Sequence, residues 1–343
     1  MRRTVNIIGW DNGGGLSRDI QLIRRELAAL EWTVSLNGKH TGTTLRALIP
    51  RALRHAHRKI RAAASAAAVI PKPFDVNLHL EDINGEHLPL ARRNILIPNQ
   101  EWFRDSSRPF LSAIQEVWTK THLAQQIFSE LGCSVRLLGW IGNDRRIPGL
   151  REPKRLKALH LAGASLWKGT NAVLDVWSKH PTWPSLVVLR RTHGYDGLPL
   201  PWTERAPRAN IEFVTAHLED QALKAIQNDC AIHVCPSEAE GFGHILFDSM
   251  STGAVTITTD APPMNEVITP ETGLLAAAER SEPMHLGRRY FVDHRALEVA
   301  IEIALTMGER ARAQLGAAAR SQFDLSNCSF RERLREYLEH PSH

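Results

Sequence analysis

Long apolar runs are missing from this chain of 343 residues. No stretch reaches the roughly eighteen consecutive apolar residues that a membrane-spanning helix requires. Cysteine is scarce as well, and Cys133, Cys230, Cys235 and Cys328 show neither the spacing of metal ligands nor the density of a disulfide framework. The first residues contain only a short apolar stretch, which predicts a first strand rather than a secretory signal. We therefore expect a cytoplasmic protein without a membrane-spanning helix.

Acidic residues are absent from residues 32–74, a stretch that carries eight lysines and arginines. Residues 51–69 have an alanine-rich helical pattern whose outer face is covered by cations. Such a face is typical of a solvated helix, of a segment that attracts polyanions, or of one that rests on an anionic membrane. Residues 46–72 are therefore a candidate for peripheral contact with an anionic membrane or a polyanion. The net charge of +5 for the whole chain is too small to indicate a dedicated nucleic-acid-binding protein.

Strand and helix patterns alternate along the chain, and its length suits two globular α/β domains. In the first part, strands are predicted at 4–8, 33–36, 74–80, 94–97 and 135–138, and helices at 16–30 and 111–131. In the second part, strands are predicted at 158–162, 186–190, 211–214, 230–234 and 254–258, and helices at 171–179, 218–228, 244–251, 297–307, 309–321 and 330–338. A shift to glycine, proline and charge at residues 139–155 marks a linker. We expect Rossmann-like domains at 1–150 and 151–325, with a terminal helix at 326–343 that packs on the first domain.

The most informative stretch is residues 235–266, which read as the end of a buried strand, a glycine turn, a helix and a second strand. Gly241 and Gly243 let a ligand approach the backbone, and the helix that opens there offers N–H groups to an anion. Glu240 and Asp248 lie eight positions apart on either side of this turn. A carboxylate repels a phosphate, so these two side chains are better suited to binding hydroxyls. A nucleotide sugar has both kinds of group.

This stretch resembles the donor-site signature of retaining glycosyltransferases of the GT-B fold, in particular family 4. The resemblance implies two Rossmann-like domains with a cleft between them and a C-terminal helix that crosses back. It also implies that Glu240 holds sugar hydroxyls and that Asp248, where the family usually has Glu, binds the ribose. The backbone around the glycine turn would bind the diphosphate, through Gly241, Phe242, Gly243 and His244.

The segment GASLWKGT at residues 163–170 resembles the second donor signature of the same family. This match implies that Lys168 neutralises the leaving diphosphate and that Ser165 and Gly169 line it. The family usually has Arg where this chain has Ala164, so one cation of the usual pair is missing. Either another arginine replaces it or catalysis is weak or absent. The candidate replacements are Arg145, Arg146, Arg190 and Arg191.

Further candidates follow from their places at strand ends and loops. The glycine-rich first loop predicts donor contacts at Gly14 and Gly15, although a tight turn without a ligand explains it equally well. Asn265 and Glu266 follow the strand after the donor helix and are candidates for contact with the nucleotide or sugar, or for plain loop structure. On the acceptor or sugar side the candidates are His79, Asn99 and Glu101, whose alternative role is packing and capping of loops.

The resemblance implies transfer of a sugar from a nucleoside-diphosphate sugar, with retention of the anomeric configuration. It implies no metal and no cofactor beyond the nucleotide-sugar co-substrate, and the sequence contains no DxD-type cluster. We expect the acceptor to be a glycan or a lipid-linked glycan. Two alternatives are a modified base in DNA as acceptor and a glycosyltransferase-like binding protein without activity. A sugar-nucleotide epimerase of the same fold is another.

Overall fold

The computed structural model describes residues 3–11, 13–37, 72–149, 154–194, 197–201 and 208–341. The candidate contact segment 46–72 therefore lies outside the described residues, apart from Lys72. The chain divides into two compact units. The first unit contains Met1–Gly139 together with Phe330–His343, and the second contains Trp140–Ser329. Residues 140–150, which the sequence placed at the end of the first domain, thus belong to the second unit.

The first unit is built on a six-stranded sheet in the order β2-β1-β3-β4-β5-β6, and every pair of neighbouring strands is parallel. Its strands are β1 (Thr4–Ile8), β2 (Thr33–Asn37), β3 (Phe74–Glu81), β4 (Ala91–Pro98), β5 (Glu116–Thr119) and β6 (Val135–Leu137). Its α-helices include α1 (Gly15–Ala29) and α2 (His122–Glu130), and 3₁₀ turns occupy Leu88–Leu90 and Asp105–Ala113. Because parallel strands are covered on both faces, the last four residues of β1 and the last five of β4 are all buried.

The predicted helix at 111–131 is wrong, because this stretch contains the end of a 3₁₀ segment, strand β5 and helix α2. A buried carboxylate interrupts the apolar pattern of strand β5, because Glu116 is only 1% exposed. Arg93 Nη2 lies 3.0 Å from Glu116 Oε1, and Trp118 Nε1 donates to Glu116 Oε2 at 2.8 Å. Thr121 caps α2, since its hydroxyl accepts a hydrogen bond from the N–H of Ala124 at 3.2 Å.

The second unit contains a seven-stranded sheet in the order β13-β12-β11-β10-β7-β8-β9. Its strands are β7 (Arg155–Gly163), β8 (Leu186–Arg190), β9 (Ile211–Val214), β10 (Cys230–Cys235), β11 (Val255–Asp260), β12 (Gly273–Met284) and β13 (Gly287–Val292). Its helices are α3 (Thr170–Trp177), α4 (Asp220–Asp229), α5 (His244–Thr252), α6 (Met264–Val267), α7 (His294–Thr306) and α8 (Glu309–Glu339), of which α8 continues into the first unit. Val173, Ile232, Ile257 and Leu297 are fully buried in the core of this unit.

Two features of the second unit differ from the sequence predictions. The antiparallel hairpin of β12 and β13 was not predicted, because only four of its eighteen strand residues are buried. The two helices predicted at 309–321 and 330–338 are one helix, α8, of 31 residues. The last turns of α8, from Phe330 on, belong to the first unit.

The α/β prediction, with a parallel sheet and covering helices in each half of the chain, is confirmed. In such sheets ligands bind beyond the carboxyl ends of the strands. The relevant ends are therefore those of β7, β10 and β11 in the second unit and those of β1, β3, β4 and β5 in the first. Within the described residues, no helix is long and apolar enough to cross a membrane.

Candidate functional site

The glycine turn of the second unit positions the start of α5 beyond the end of β10. Gly243 adopts φ +98°, a conformation that side chains disfavour, and its carbonyl accepts from the N–H groups of Leu246 and Phe247 at 2.9 and 3.2 Å. Phe242 is buried, and its ring centroid lies 4.2 Å from that of Phe247. This packing fixes the turn against the helix it opens. The positive end of the α5 dipole is thereby aimed at the turn.

Lys168 and Glu240 are brought together at this turn from positions 72 residues apart. The Lys168 ammonium donates to Glu240 Oε1, and the Ser237 hydroxyl donates to the same oxygen at 2.6 Å. Both charged side chains are mostly buried, with 17% and 10% exposed. An ammonium has three protons, so Lys168 retains donors for a ligand while it bonds to Glu240.

The two glycine-containing loops that carry these residues are in direct contact. The N–H of Glu238 donates to the carbonyl of Trp167 at 2.9 Å. Gly169, with φ +65°, begins α3, and a Cβ at this position would lie 2.2 Å from the carbonyl oxygen of Pro236. Only glycine permits this approach. The second candidate donor residue of the same loop, Ser165, accepts from the N–H of Trp167 at 3.3 Å, which shapes the loop from within.

The end of β10 is held by hydroxyls of the neighbouring strand β11. Thr258 donates to the carbonyl of Cys235 and Thr259 to that of Ser237, each at 2.8 Å. All four residues are buried. These bonds satisfy the last carbonyl of β10 and one carbonyl of the turn that leads toward Glu240.

A buried histidine connects β7, β10 and α3 beneath the site. His160 is fully buried, with Nδ1 2.7 Å from the carbonyl oxygen of Val234 and Nε2 2.9 Å from the hydroxyl of Thr170. The carbonyl requires a donor, so Nδ1 carries the proton and Nε2 accepts. Burial lowers the pKa of His160 from 6.5 to about 4. The ring is therefore neutral at pH 7, and its two hydrogen bonds connect β7 to β10 and α3.

Asp248 lies on α5 and is 5% exposed. Its Oδ2 atom is 3.4 Å from Nε2 of Gln227, whose Oε1 accepts from Arg145 Nε at 2.7 Å. The residue predicted to bind ribose thus lies in a polar cluster between α4 and α5. The other two candidates beyond β11 lie on α6, where Asn265 Nδ2 donates to Asp260 Oδ1 at 3.0 Å and Glu266 is half-buried.

The arginines considered as replacements for the missing cation at Ala164 have different surroundings. Ala164 itself is buried. Arg145 Nη1 lies 2.5 Å from Asp220 Oδ1. Arg190 pairs with Gly163 at the end of β8, and its guanidinium lies 3.6 Å from the ring centroid of Phe213. Arg191 is exposed and its N–H donates to the carbonyl of Gly163 at 2.9 Å. Arg190 and Arg191 are therefore the pair that the strand register places beside Ala164.

In the first unit, the glycine-rich loop leads directly into helix α1. Gly13, with φ +67°, donates its N–H to the Ser17 hydroxyl at 2.7 Å, and Ser17 bonds in turn to Asp11. Gly14 precedes α1 and its carbonyl accepts from the N–H of Arg18 at 3.1 Å, while Gly15 is the first helical residue. The loop thus forms a tight turn before α1, and donor contact by Gly14 and Gly15 stays a prediction.

His79 is fully buried in β3, where Nδ1 accepts from the N–H of Asn84 at 3.3 Å. Burial lowers its pKa from 6.5 to about 3. Its position inside the sheet provides no exposed surface for a sugar. Glu101 is also buried, in the turn after β4.

Asn99 belongs to a polar cluster at the carboxyl edge of the first sheet. Lys120 Nζ donates to Asn99 Oδ1 at 2.9 Å and to Asp19 Oδ2 at 2.5 Å. Asn99 Nδ2 donates to Glu81 Oε2 at 3.3 Å. Glu81 has φ +69°, rare for a residue with a side chain, and burial raises its pKa. Strained, buried polar groups at a sheet edge are common where ligands bind.

Sequence analysis did not select several residues that build these two clusters. Glu81 directly follows the strand predicted at 74–80, so its position at a strand's carboxyl end was a usable signal, whereas Lys120 follows β5, which was not predicted. Ser237 lies three residues before Glu240 within the donor stretch. Arg289, whose Nε donates to Glu238 Oε2 at 2.5 Å, had no signal because the hairpin that carries it was not predicted.

Metal-binding potential lies elsewhere in the second unit. Within the part of the chain that the structure describes, the one group of three His, Cys, Asp or Glu side chains close enough to share an ion is His180, Glu298 and Glu302. None of these belongs to the donor turn. Metal-independent transfer stays a prediction.

Comparison with known proteins gives a family match for much of the second unit. Residues 151–314 match the family described as "Glycosyl transferases group 1". No curated protein sequence matches the chain at a significant level.

Several solved structures resemble the whole chain. Sucrose-phosphate synthase from Thermosynechococcus elongatus has a TM-score of 0.71 at 14% identity, with 98% of both chains covered. A glycosyltransferase from Rickettsia africae has a TM-score of 0.70 at 13% identity, also with 98% of both chains covered. Anabaena HepE, in complex with UDP and glucose, has a TM-score of 0.66 at 12% identity and covers 98% of this chain and 99% of its own. At these identities the likeness is one of fold.

Proposed function

We propose that the chain is a glycosyltransferase whose donor is a nucleoside-diphosphate sugar and that transfer retains the anomeric configuration. Its fold is GT-B, and residues 151–314 match the group 1 glycosyl transferases. The observation that carries this proposal is the contact of Lys168 with Glu240 at the N-terminus of α5. A cation, a helix N-terminus and a hydroxyl-binding carboxylate meet at one turn. A diphosphate and a sugar ring are the ligand groups that need all three.

Lys168 and α5 act on the leaving group. When the bond between the anomeric carbon and the diphosphate oxygen breaks, negative charge grows on that oxygen. A fixed ammonium and a helix N-terminus stabilise this charge more than they stabilise the intact donor, which lowers the barrier. Because Lys168 is mostly buried, this interaction is screened by little water.

Glu240 orients both the amine and the sugar. Its carboxylate holds Lys168 through Oε1 and is itself oriented by Ser237. We assign it to the sugar hydroxyls, and we assign Asp248 to the ribose. The Gln227 amide that contacts Asp248 would have to yield or share this carboxylate when the nucleotide binds.

The chemical step requires no protein base. The acceptor oxygen forms a bond to the anomeric carbon on the face that the diphosphate leaves, and its proton passes to the departing phosphate oxygen. Retention follows because the bond that forms and the bond that breaks share this face. Support for this route is that Glu240, the carboxylate that contacts Lys168, is already bonded to that amine and to Ser237.

We propose a carbohydrate acceptor, and the cluster at the carboxyl edge of the first sheet supports it. Glu81, Asn99 and Lys120 combine carboxylate, amide and ammonium groups that suit sugar hydroxyls. The alternative acceptor, a modified base in DNA, depends on residues 46–72, which lie almost entirely outside the described residues. No contact among the described residues favours it.

Replacement of Lys168 tests the donor proposal. Purified protein is incubated with UDP- and GDP-sugars, and release of the nucleoside diphosphate is measured with and without carbohydrate acceptors. We expect Lys168→Ala to lower turnover at least a hundredfold, a loss of about 3 kcal/mol of transition-state stabilisation. Lys179→Ala is the matched control, because Lys179 is an exposed lysine of the same unit.

A loss under about threefold in Lys168→Ala, or equal losses in the two variants, would remove Lys168 from the leaving-group site. The anomeric configuration of the product, read by NMR coupling constants, tests retention separately. An inverted product would contradict transfer on one face while leaving the donor assignment intact.

A further inference from the structure

A second cavity lies in the second unit, outside the donor turn. Its volume is about 610 Å³, within the range of small-molecule sites. Its walls come from the C-terminal end of α5, the first turns of α8 and residues Arg146 and Lys154. None of its lining residues belongs to the loop of Lys168 or to the glycine turn at Gly243. Donor binding therefore does not explain it.

Small residues make the room for this cavity. Ala231, Ala313, Gly316 and Ala317 contribute to the lining. A Cβ on Gly316 would lie 2.0 Å from the carbonyl oxygen of Gly253, so α8 rests directly on the turn that ends α5. The lack of larger side chains at this contact leaves a recess between the helices.

The lining is strongly positive. Its charged members are Arg146, Lys154, Arg310, Arg312, Arg320 and a single carboxylate, Glu309. Five cations around one recess raise the local potential and favour an anion over a neutral ligand.

Several of these cations are held by backbone carbonyls, which orient them without cancelling their charge. Lys154 Nζ donates to the carbonyl of Asn228 at 2.9 Å, and Arg320 Nη1 donates to the carbonyl of Ser251 at 2.9 Å. Arg312 donates to the carbonyl of Met307. Arg320 also pairs with Asp144 and Asp324, so it is the most neutralised of the set.

Arg146 and Arg310 are exposed at the mouth of the recess. Guanidinium groups present paired N–H donors that match phosphate oxygens. The start of α8 contributes the positive end of a helix dipole on the same side, because Glu309, Arg310 and Arg312 belong to its first turns.

We propose that this cavity binds a small anion with two or more phosphate groups, as a ligand site separate from the donor site. The volume fits a small phosphorylated molecule, and the arginines recognise its phosphates. This inference does not depend on the proposed donor.

The test is isothermal titration with inorganic diphosphate. We use full-length protein with Lys168→Ala, so that the donor turn contributes little to the signal. We expect saturable binding, and we expect the added pair Arg146→Gln and Arg310→Gln to weaken it at least tenfold. The matched control adds Arg24→Gln and Arg335→Gln, two exposed arginines of the first unit, and should bind like the parent. Circular dichroism and the thermal midpoint verify that each variant is folded.

Four results would overturn the proposal. The first is that the Lys168→Ala parent protein shows no saturable binding up to 10 mM diphosphate, roughly the weakest affinity of interest. The second is that the variant with Arg146→Gln and Arg310→Gln binds diphosphate as tightly as the parent. The third is that the control with Arg24→Gln and Arg335→Gln weakens binding equally. The fourth is that a short DNA duplex binds through Arg146 and Arg310 more tightly than diphosphate does. This result would make the recess part of a nucleic-acid surface.

Discussion

At the scale of single residues, the proposed donor site depends on buried polar groups that bond to one another. Glu240 is held by Lys168 and Ser237, and the strand end below it is held by Thr258 and Thr259. Each of these groups is paired with a neighbour, so the site is formed before a ligand arrives. Such preorganisation is what allows a fixed charge to stabilise a transition state without rearrangement.

His160 should make the stability of the second unit depend on pH. Its pKa is lowered from 6.5 to about 4 in the folded state because the imidazole is buried. The unfolded chain therefore takes up this proton near pH 6.5, and the folded one only near pH 4. Stability is complete above pH 6.5 and is lost as the pH falls toward 4. Between pH 7 and pH 5 this histidine alone should lower the unfolding free energy by about 2 kcal/mol.

The measurement is urea unfolding of the wild type and of His160→Gln at both pH values. Glutamine cannot take up the proton, so its variant should lose about 2 kcal/mol less between pH 7 and pH 5, whatever its stability at pH 7. His233, another buried histidine with a lowered pKa, remains in both proteins and contributes equally. Identical pH dependence in the two proteins would show that His160 does not titrate in this way.

At the scale of elements, the β12–β13 hairpin braces the donor loop. Arg289 Nε donates to Glu238 Oε2 at 2.5 Å, and the N–H of Tyr290 donates to the carbonyl of Glu238 at 2.7 Å. Glu238 lies two residues before Glu240. Strand β13, which was not predicted from the sequence, thus fixes the loop of Glu240, which was predicted as a site residue.

Arg289→Ala should weaken donor binding more than it lowers the chemical rate. Loss of the Glu238 partner frees the loop that orients Glu240, and we expect KM for the nucleotide sugar to rise about tenfold, or about 1.4 kcal/mol, with kcat changed less. Arg288→Ala is the control, because Arg288 contacts Ser281 within the hairpin. Steady-state kinetics that show equal KM for the two variants would contradict this bracing role.

Gly169 joins the two donor loops, and its replacement should separate them. In Gly169→Ala the new Cβ meets the carbonyl oxygen of Pro236 at 2.2 Å, and a backbone atom cannot move aside cheaply. We expect a loss of about 3 kcal/mol in unfolding free energy, together with loss of activity. Gly163→Ala has a similar φ of +57° but meets nothing within 4 Å, so it should lose only about 1 kcal/mol.

Chemical denaturation of both glycine variants provides the measurement. Equal losses would mean that backbone conformation, not the contact with Pro236, explains the glycine at position 169.

At the scale of the whole molecule, the C-terminus completes the first unit. Tyr337 donates its hydroxyl to the carbonyl of Leu137 at 2.9 Å, and its ring centroid lies 5.7 Å from that of Trp118. The Cζ atom of Arg136 lies 3.5 Å from the centroid of the Tyr337 ring. The last residues of the chain are thus structural partners of β5 and β6.

Tyr337→Ala should destabilise the first unit by about 3 kcal/mol, since it removes a mostly buried aromatic side chain and leaves a cavity beside Trp118. Leu325→Ala, at a position of α8 that is 59% exposed, should change stability by less than about 0.5 kcal/mol. Guanidinium unfolding followed by tryptophan fluorescence compares them. A Tyr337 variant as stable as the wild type would show that the terminal turns do not complete this core.

How much of the fold and the site could be predicted depended on how local each sequence signal is. Strands β1, β8 and β9 were predicted with their observed bounds because short apolar runs between turns mark buried parallel strands. Strand β5 was missed because Glu116 broke its pattern, and its partner Arg93 lies on a different strand. The hairpin was missed because only four of its eighteen strand residues are buried, so its pattern lacks a buried face.

Local order along the chain was enough to indicate an α/β protein with a glycine turn between Glu240 and Asp248, because period and spacing are properties of neighbouring residues. The pairing of Lys168 with Glu240, of Arg289 with Glu238 and of Tyr337 with Trp118 was decided only in three dimensions. Those pairs depend on the strand order β13-β12-β11-β10-β7-β8-β9 and on the return of α8 to the first unit. Strand order follows from the packing of all elements at once, and no short stretch of residues encodes it.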